Sequence, residues 1–324
     1  MFIDIRQLIH RYPVKRDQAR PPALDRLDLQ IDRGTFFVMT GPNGGGKSTL
    51  FKILCGLLQP SAGQVFVDGH DSVRESAAVR RLMGVVFQKP ALDPQLTVME
   101  NLQIHADMYG MSRAAFQQRL SQTLGWTGLE KRMGQVVKTL SGGLARQVEL
   151  VKVLLHAPPL IMMDEPTTGL DPGSRHAFMQ ALRTIQKQEN LTILLTSHIF
   201  SEAEVADRMA ILQNGQLLAA DSPARLKAAL GGNVVVIQTR NPDALEAELK
   251  TKPGLTVHRR DDELRVEGGD PRDLVAELLA IPRGIHHLSI KEPTLEDVFI
   301  HLTGRSLEQV EAETQQLGQG GQKL

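Results

Sequence analysis

Residues Gly41–Thr49 have the types and the spacing of a loop that binds phosphate. A glycine and four further residues lead into Gly46-Lys47-Ser48, with a strand-like apolar run before the loop and helical spacing after it. Backbone N–H groups and the positive end of the helix dipole would hold phosphate oxygens. Lys47 would reach the β- and γ-phosphates, and the Ser48 hydroxyl would be a ligand for Mg²⁺. The residues predicted to contact the nucleoside triphosphate are Gly41, Pro42, Asn43, Gly44, Gly45, Gly46, Lys47, Ser48 and Thr49.

Two adjacent acids, Asp164 and Glu165, follow the apolar run Leu160–Met163. Such a run ending in acid is typical of a buried parallel strand at its carboxyl edge, where ligands bind in sheets of this kind. We expect Asp164 to hold Mg²⁺ through water and Glu165 to orient or deprotonate the attacking water. The alternative, a surface acidic pair, is weak because the preceding run leaves no exposed face.

Gln88 and His198 end two further strand-like runs, Met83–Phe87 and Thr192–Ser197. At that edge of the sheet Gln88 could sense Mg²⁺ or the attacking water, and His198 could contact the γ-phosphate. Taken alone, Gln88 is an ordinary loop residue and His198 a structural histidine. The choice depends on their position beside Asp164.

Two other features allow a binding and a structural interpretation. Ser141, Gly142 and Gly143 precede a predicted helix over residues 144–156 and form either an anion site or a helix cap without a ligand. Tyr12 is either a surface on which a purine stacks or an ordinary half-exposed tyrosine beside a turn.

Composition excludes several classes of protein. Lys+Arg and Asp+Glu are both 37, so no net field recruits nucleic acid or an anionic membrane surface. One cysteine, Cys55, cannot form an intrachain disulfide, and we expect it to be buried. Charges in residues 1–6 argue against a signal peptide, and no apolar run is long enough to span a membrane. We therefore expect a cytoplasmic protein that reaches the membrane through a partner.

The predicted fold is an α/β core with a mostly helical insertion at about residues 90–155. Thr97-Val98-Met99-Glu100 has the pattern of a capping box, and Asn214-Gly215 that of a hairpin turn. Residues 226–304 alternate as βαββαβ, which indicates a small α+β, ferredoxin-like domain. We therefore divide the chain into a core domain at 1–225, this second domain, and a polar tail at 305–324 that its composition predicts to be disordered.

The order of the phosphate loop, Gln88, Leu140–Gly143, Asp164-Glu165 and His198 resembles the ATP-binding subunits of ABC transporters over about residues 1–225. The resemblance implies a P-loop ABC ATPase core, a mixed sheet with helices and an α-helical subdomain, that binds ATP and Mg²⁺. It implies that two subunits sandwich two ATP molecules head to tail. The resemblance also assigns roles to single residues. It implies that Tyr12 stacks on the adenine, that Glu165 is the general base and that His198 is the switch histidine. It implies that Gln88 is the glutamine of the coupling loop, that Ser141 and Gly143 contact the ATP bound by the partner subunit, and that Asp171 crosses to that subunit.

The chain departs from this family at its signature, because Leu144 stands where glutamine is usual. The usual arginine position holds Gln147, and Arg146 lies one residue earlier. The phosphate-facing serine and glycine are intact, so the sandwich remains the expectation.

The segment Pro293–Arg305 looks like the C-terminal part of ABC-2-type bacterial exporter ATPases, which include drug-resistance exporters. The resemblance implies a homodimer bound to an integral membrane permease on the cytoplasmic face of the inner membrane, with no nucleic acid partner. The alternatives are an importer subunit and a non-transport ABC ATPase that acts on ribosomes or DNA. We expect the loop Pro90–Leu96 to face the permease, with Leu92 either in that surface or in the core of the insertion.

Overall fold

The computed structural model describes residues 1–13, 21–125, 127–260, 262–280 and 284–320. Contacts divide it into two units, Met1–Thr40 with Gly44–Leu217 and Gly41–Asn43 with Leu218–Leu324. The strands are β1 (Ile3–His10), β2 (Leu24–Ile31), β3 (Phe36–Thr40), β4 (Ala62–Val67), β5 (His70–Asp71), β6 (Met83–Val86), β7 (Leu160–Asp164), β8 (Thr192–Thr196), β9 (Arg208–Gln213), β10 (Gln216–Asp221), β11 (Val234–Thr239), β12 (Thr256–Arg260), β13 (Glu263–Glu267) and β14 (Ile285–Lys291). The α-helices are α1 (Lys47–Leu54), α2 (Ser76–Arg81), α3 (Val98–Met108), α4 (Arg113–Leu124), α5 (Gly142–Leu154), α6 (Pro172–Glu189), α7 (Phe200–Ala203), α8 (Pro223–Ala228), α9 (Pro242–Lys250), α10 (Pro271–Ala280), α11 (Leu295–Thr303) and α12 (Leu307–Gly320).

A six-stranded sheet in the order β10-β9-β3-β8-β7-β6 forms the centre of the first unit. Strands β9, β3, β8, β7 and β6 pair in parallel, and β3, β7 and β8 are buried almost throughout. Near-continuous apolar runs are what parallel strands covered on both faces require. The carboxyl ends of these strands therefore meet at one edge, as predicted.

A second sheet in the first unit is antiparallel, with the order β2-β1-β4-β5. Its central strand β1 pairs on one side with β2 and on the other with β4. Apolar residues alternate along β2, so one of its faces is buried and the other is exposed. Tyr12 follows β1 directly.

The predicted helical insertion is present and has its own core. Helices α3, α4 and α5 surround a cluster of buried apolar side chains that includes Leu102, Phe116 and Val151. The capping box of α3 is confirmed: Thr97 accepts from the N–H of Glu100, and Glu100 accepts from the N–H of Thr97. The insertion therefore folds around a hydrophobic core separate from the central sheet.

The second unit contains a four-stranded antiparallel sheet in the order β12-β13-β11-β14. With α9 after β11 and α10 after β13, the chain follows βαββαβ, as the sequence predicts. Buried apolar side chains from the strands and both helices, such as Val235, Leu249, Leu264 and Leu278, form its core. This strand order is that of a ferredoxin-like layer.

The structure differs from the sequence-based expectation after residue 306. Where composition predicted disorder, residues 307–320 form helix α12; residues 321–324 of the predicted tail lie outside the described residues. The reason is local: Ser306 caps the helix, since its hydroxyl accepts from the N–H of Gln309, and Val310 is buried. None of the described helices combines the length and the apolar character needed to span a membrane.

Candidate functional site

The predicted phosphate loop contains three glycines with positive φ and leads into α1. Gly41, Gly44 and Gly46 have φ values of 137°, 78° and 106°, a region that side chains disfavour. A Cβ on Gly46 would lie 2.8 Å from the carbonyl oxygen of Ala23 and 2.9 Å from Cδ2 of Leu24. Only glycine fits there, so the loop keeps its backbone N–H groups at the start of α1, where an anion is favoured.

A hairpin turn supports this loop from behind. The N–H of Gly215 donates to the carbonyl of Gly45 over 3.1 Å, and the Gly215 carbonyl accepts from the N–H of Asp25. Asn214 and Gly215 both have positive φ, which is the turn predicted between β9 and β10. On α1, Lys47 is buried and Ser48 is exposed, as a lysine held along the loop and a hydroxyl open to a ligand should be.

Tyr12 lies beside the helix that follows the loop. Its hydroxyl is 3.2 Å from Oγ1 of Thr49, and its ring packs edge-on against His10. Tyr12 is 46% exposed. A purine could stack there while its phosphates occupy the loop.

Asp164 and Glu165 lie at the carboxyl edge of the central sheet, beside the end of β8. The hydroxyl of Thr196 donates to Oδ1 of Asp164 over 2.6 Å. The N–H of Glu165 donates to the hydroxyl and to the carbonyl of Thr196, and Glu165 has a φ of 44°. This uncommon backbone conformation turns the Glu165 side chain out of the strand direction, and the hydrogen bonds to β8 hold it there.

Side chains from three loops contact the carboxylate of Glu165 or lie beside it. Oε2 accepts from Nε2 of Gln88 and from the hydroxyl of Thr168, each over 3.2 Å, and lies 3.4 Å from Nδ1 of His198. The contact with His198 lowers the pKa of Glu165; partial burial opposes this, and the charge of Lys47 adds to it. Glu165 is therefore ionised at neutral pH and able to accept a proton from water.

Glu202, which the sequence analysis missed, joins the loops that carry Glu165 and His198. It is 3% exposed and accepts from the hydroxyls of Thr167 and Ser197, the second over 2.7 Å. Ser197 in turn accepts from the N–H of Ile199. A buried acid that bonds both loops fixes the distance between them. The partners lie 35 and 5 residues from Glu202, so no local pattern marked it.

Arg146 and Glu149, also missed as functional residues, fasten the Gln88 loop to α5. Arg146 donates to the carbonyls of Phe87 and Gln88 over 2.7 and 2.8 Å and pairs with Glu149 at 2.6 Å. Glu149 accepts from the N–H of Ala91, and both charged side chains are buried. The sequence does contain a sign of this pair, because two opposite charges stand three residues apart among apolar residues of a helix. Arg146, which lies one residue before the position where the family usually has arginine, therefore has a structural role in holding the Gln88 loop.

Ser141, Gly142, Gly143 and Asp171 lie at the N-termini of α5 and α6. Ser141 accepts from the N–H of Leu144, and Asp171 accepts from the N–H of Ser174. Hydrogen bonds from the hydroxyl and from the N–H of Ser174 lower the pKa of Asp171. A Cβ on Gly143 would be 3.5 Å from the Ser174 hydroxyl. A Cβ on Gly142 would lie 3.8 Å from Cδ2 of Leu170, so the N-terminus of α5 lies beside the loop that precedes α6.

The donors predicted for Mg²⁺ are a hydroxyl (Ser48), an amide (Gln88) and a carboxylate (Asp164). All offer oxygen, the ligand that this small, hard cation prefers. Asp164 accepts from Thr196 through Oδ1, which orients its carboxylate at the sheet edge. The donor set therefore fits the ion.

A groove of about 340 Å³ opens between the end of β6 and helices α3 and α5. Leu57, Phe87 and Tyr109, three of its lining side chains, are 58%, 38% and 45% exposed. Cys55 lies at its base and is buried as expected; burial, with the charge of Asp164, raises the pKa of its thiol to about 12. Arg80, His105, Lys152 and His156 also line the groove, so its surface combines apolar and polar side chains. It lies next to the Gln88 loop, because Phe87 and Ala91 are among its lining residues.

Leu92 lies in the core of the insertion. Its partly buried side chain packs against the apolar cluster of α3, α4 and α5. The sequence left Leu92 either in a surface that faces the permease or in the core of the insertion, and the structure places it against that core. Leu144, in place of the usual signature glutamine, packs against the same cluster.

Comparison with known proteins matches both units. The ABC transporter family matches residues 24–168, and the C-terminal domain of the ATP-binding protein DrrA1-3-like family matches residues 222–303. The matched regions include the phosphate loop, the Gln88 loop, Ser141–Gly143, Glu165 and the ferredoxin-like sheet.

Two curated relatives cover nearly the whole chain. The linearmycin resistance ATP-binding protein LnrL of Bacillus subtilis (strain 168) is 31% identical, over 91% of this chain and 97% of its own. The Nod factor export ATP-binding protein I of Rhizobium sp. (strain N33) is 36% identical, over 91% of this chain and 96% of its own. A solved dimeric bacterial ABC transporter cassette, MJ0796, superposes with a TM-score of 0.60 at 28% identity, over 68% of this chain and 98% of its own. The chain belongs to the ABC transporter family, as an ATP-hydrolysing ATP-binding subunit with a DrrA1-3-like C-terminal domain.

Proposed function

We propose that this chain hydrolyses ATP to drive an ABC-2-type membrane exporter. The observation that carries the proposal is the convergence of Gln88, Thr168 and His198 on the carboxylate of Glu165, near the charge of Lys47. The linearmycin resistance and Nod factor export proteins, similar over nearly all of their length, support the direction of transport.

The phosphate loop and Lys47 hold the β- and γ-phosphates of ATP, and Tyr12 stacks on the adenine. Ser48, Asp164 and Gln88 would hold Mg²⁺, and the ion would supply positive charge to neutralise the phosphates. Glu165 orients the attacking water and accepts its proton, because its carboxylate is ionised. His198 contacts the γ-phosphate and keeps Glu165 in position.

Two copies of the chain close head to tail on two ATP molecules. Ser141 and Gly143, at the N-terminus of α5, offer N–H groups and a hydroxyl to the γ-phosphate held by the other copy. Asp171, at the start of α6, crosses to that copy. The exposure of Ser141 and the dimeric relative MJ0796 support this arrangement.

An integral membrane permease docks on the groove beside the Gln88 loop, which places the chain on the cytoplasmic face of the inner membrane. The groove presents Leu57, Phe87 and Tyr109, and a short apolar helix of the permease would bury them. Arg146 and Glu149 connect the groove to α5, whose N-terminus meets the partner's ATP. Closure of the dimer would therefore move the docking surface.

The two rival functions have less support. An importer subunit is expected to carry a β-barrel-like accessory domain, whereas the second unit is a ferredoxin-like sheet and matches the DrrA1-3-like C-terminal domain. A ribosome- or DNA-directed ATPase usually carries two cassettes or a long coiled coil. The described residues hold one cassette and no helix longer than the 18 residues of α6.

The deciding experiment is transport by inside-out vesicles that contain the chain and the membrane protein that copurifies with it. An exporter moves its substrate into such vesicles when ATP is added outside, and the Lys47→Ala chain does not. ATP-driven movement out of the vesicles would identify an importer. Absence of any membrane protein bound through the groove would favour the non-transport function.

A further inference from the structure

His258, Glu267 and His301 bring three ligand atoms together in the second unit. These atoms, one from each side chain, all lie within 4.8 Å of one another. Nδ1 of His301 is 2.9 Å from Oε2 of Glu267, and Nε2 of His258 is 3.9 Å from Oε1. This group lies within the ferredoxin-like unit and takes no part in the proposed ATP chemistry.

The fold itself creates the group. Thr256 of β12 lies opposite Glu267 of β13, so His258, two residues further along β12, is a diagonal neighbour of Glu267 on the same face. Asp297 and His301 are four residues apart on α11 and share one of its faces. Arg265 of β13 pairs with Asp297 at 2.6 Å, so the helix is held with His301 over Glu267.

Glu267 and His258 are the unusual members. Glu267 is 4% exposed, and among the described residues the shortest ion-pair distance to its carboxylate is the 2.9 Å to Nδ1 of His301, a side chain that is 43% exposed. The nearby acid, Asp297, is fully used: it bonds Arg265 and caps α11 through Thr294. Nε2 of His258 is buried without a hydrogen-bond partner in the described part of the chain. This ring nitrogen is 3.9 Å from the buried carboxylate, too far for a direct hydrogen bond.

We propose that His258, Glu267 and His301 bind one divalent transition-metal ion, with Zn²⁺ as the best fit. Two imidazoles and a carboxylate are a donor set that Zn²⁺ takes in three-ligand sites, with the fourth position left to water or another ligand. The ion would link the hairpin β12–β13 to helix α11.

The distances suit such an ion. Ligand atoms about 2.0–2.1 Å from a tetrahedral Zn²⁺ lie about 3.4 Å apart. The three atoms lie within 4.8 Å of one another, so side-chain rotations that move them by about 1–1.5 Å would bring all three into the coordination sphere.

The test is titration of the full, tag-free chain, stripped with chelator, with Zn²⁺ alone in competition with a chromophoric zinc chelator. The wild-type chain should bind one equivalent tightly. His258→Gln and His301→Gln should each lower that affinity by more than about 100-fold, because even outer-shell changes cost about 10–100-fold. His286→Gln, a matched change of an exposed histidine on β14 of the same unit, should leave the equivalent in place.

Zinc X-ray absorption of the loaded wild-type chain gives a readout that does not depend on a variant's folding. It should show two imidazoles and oxygen in the first shell. The proposal is overturned if the wild-type chain fails to bind an equivalent of Zn²⁺, if His258→Gln binds as tightly as His286→Gln, or if the absorption spectrum contains no imidazole.

Discussion

Gln88 and Glu165 are in direct contact at the carboxyl edge of the central sheet: the amide of one donates to the carboxylate of the other over 3.2 Å. They follow β6 and β7, which pair in parallel with Val86 opposite Met163. His198, two residues beyond β8, reaches the same carboxylate oxygen. Three neighbouring strands thus deliver one side chain each to a single point, and that point is the predicted position of the general base.

The first prediction tests this base. Glu165→Gln keeps the shape of the side chain but cannot accept a proton, so turnover should fall by about 10²–10⁴-fold. ATP binding at Lys47 should persist. Because bound ATP is then not consumed, light scattering should find a dimer with ATP and a monomer without it. Phosphate release measures the turnover, and calorimetric titration with ATP measures the binding.

Glu130→Gln provides the matched control, since Glu130 is exposed in a short 3₁₀ turn far along the chain from the site. It should hydrolyse ATP at the wild-type rate. Wild-type turnover by Glu165→Gln would remove Glu165 from the role of base, and an ATP-bound monomer would contradict the head-to-tail sandwich.

Features that depend on residues close together in the chain could be predicted from the sequence, whereas contacts between distant residues could not. The phosphate loop, the capping box at Thr97 and the turn at Asn214-Gly215 are local patterns, and the structure has all three. The βαββαβ alternation predicted a small ferredoxin-like unit, and the structure has this order of elements. The contacts of Arg146 with Phe87 and Gln88 join residues 58 or more positions apart, and Glu202 reaches back to Thr167. Such contacts depend on packing, which spacing along the chain does not encode.

A second prediction concerns the clamp formed by Arg146 and Glu149. Arg146→Ala leaves the Glu149 carboxylate buried without its cation and frees the carbonyls of Phe87 and Gln88. Breaking a buried pair in this way costs about 3–5 kcal/mol of unfolding free energy. Urea unfolding of the purified chain measures the loss.

The control for the clamp is the double change Arg146→Met with Glu149→Leu. It removes both charges and keeps apolar volume, so it should be less destabilising than Arg146→Ala alone. If the double change is as damaging as the single one, the cost comes from lost packing and not from an unpaired charge.

A third prediction concerns Glu202 as a positioning residue. Glu202→Ala deletes the acceptor for both Thr167 and Ser197, so the loops that carry Glu165 and His198 lose their common anchor. A displacement of about 1 Å can cost about 10²-fold in rate, and we expect a fall of that order in kcat. The KM for ATP should change little, because the phosphate loop is untouched. Glu202→Gln keeps one acceptor, so its kcat should lie between the values of the wild-type chain and Glu202→Ala. Equal kcat for these three chains would contradict the positioning role of Glu202.

A fourth prediction is a dependence of stability on pH through His105. Burial, with repulsion from His156 and Lys152, lowers the pKa of His105 from 6.5 to about 4. Between these values the unfolded chain binds a proton that the folded chain does not, so stability falls as pH drops from about 7 to 5. The ceiling is about 2 kcal/mol, and the partial exposure of the ring reduces this to about 1 kcal/mol. Urea unfolding at pH 7 and 5 should show a smaller drop for His105→Gln; equal drops would refute the assignment.

The last prediction concerns the groove, and the position of Leu92 decides which residue probes it. A charge at Leu92 would enter the apolar core of the insertion and unfold it, so that change does not test docking. Leu57 is 58% exposed and lines the groove, so Leu57→Asp should leave the fold intact, as circular dichroism can verify.

When the permease covers the groove, the new charge at position 57 would be buried without a partner, which costs several kcal/mol. Leu57→Asp should therefore weaken capture of the permease in a pull-down by at least about 10²-fold, since 1.4 kcal/mol is a factor of ten. Val73→Asp adds the same charge at an apolar position of the first unit that is 43% exposed, and it should bind the permease normally. A folded Leu57→Asp chain that captures the permease as well as Val73→Asp would place the docking surface elsewhere on the molecule.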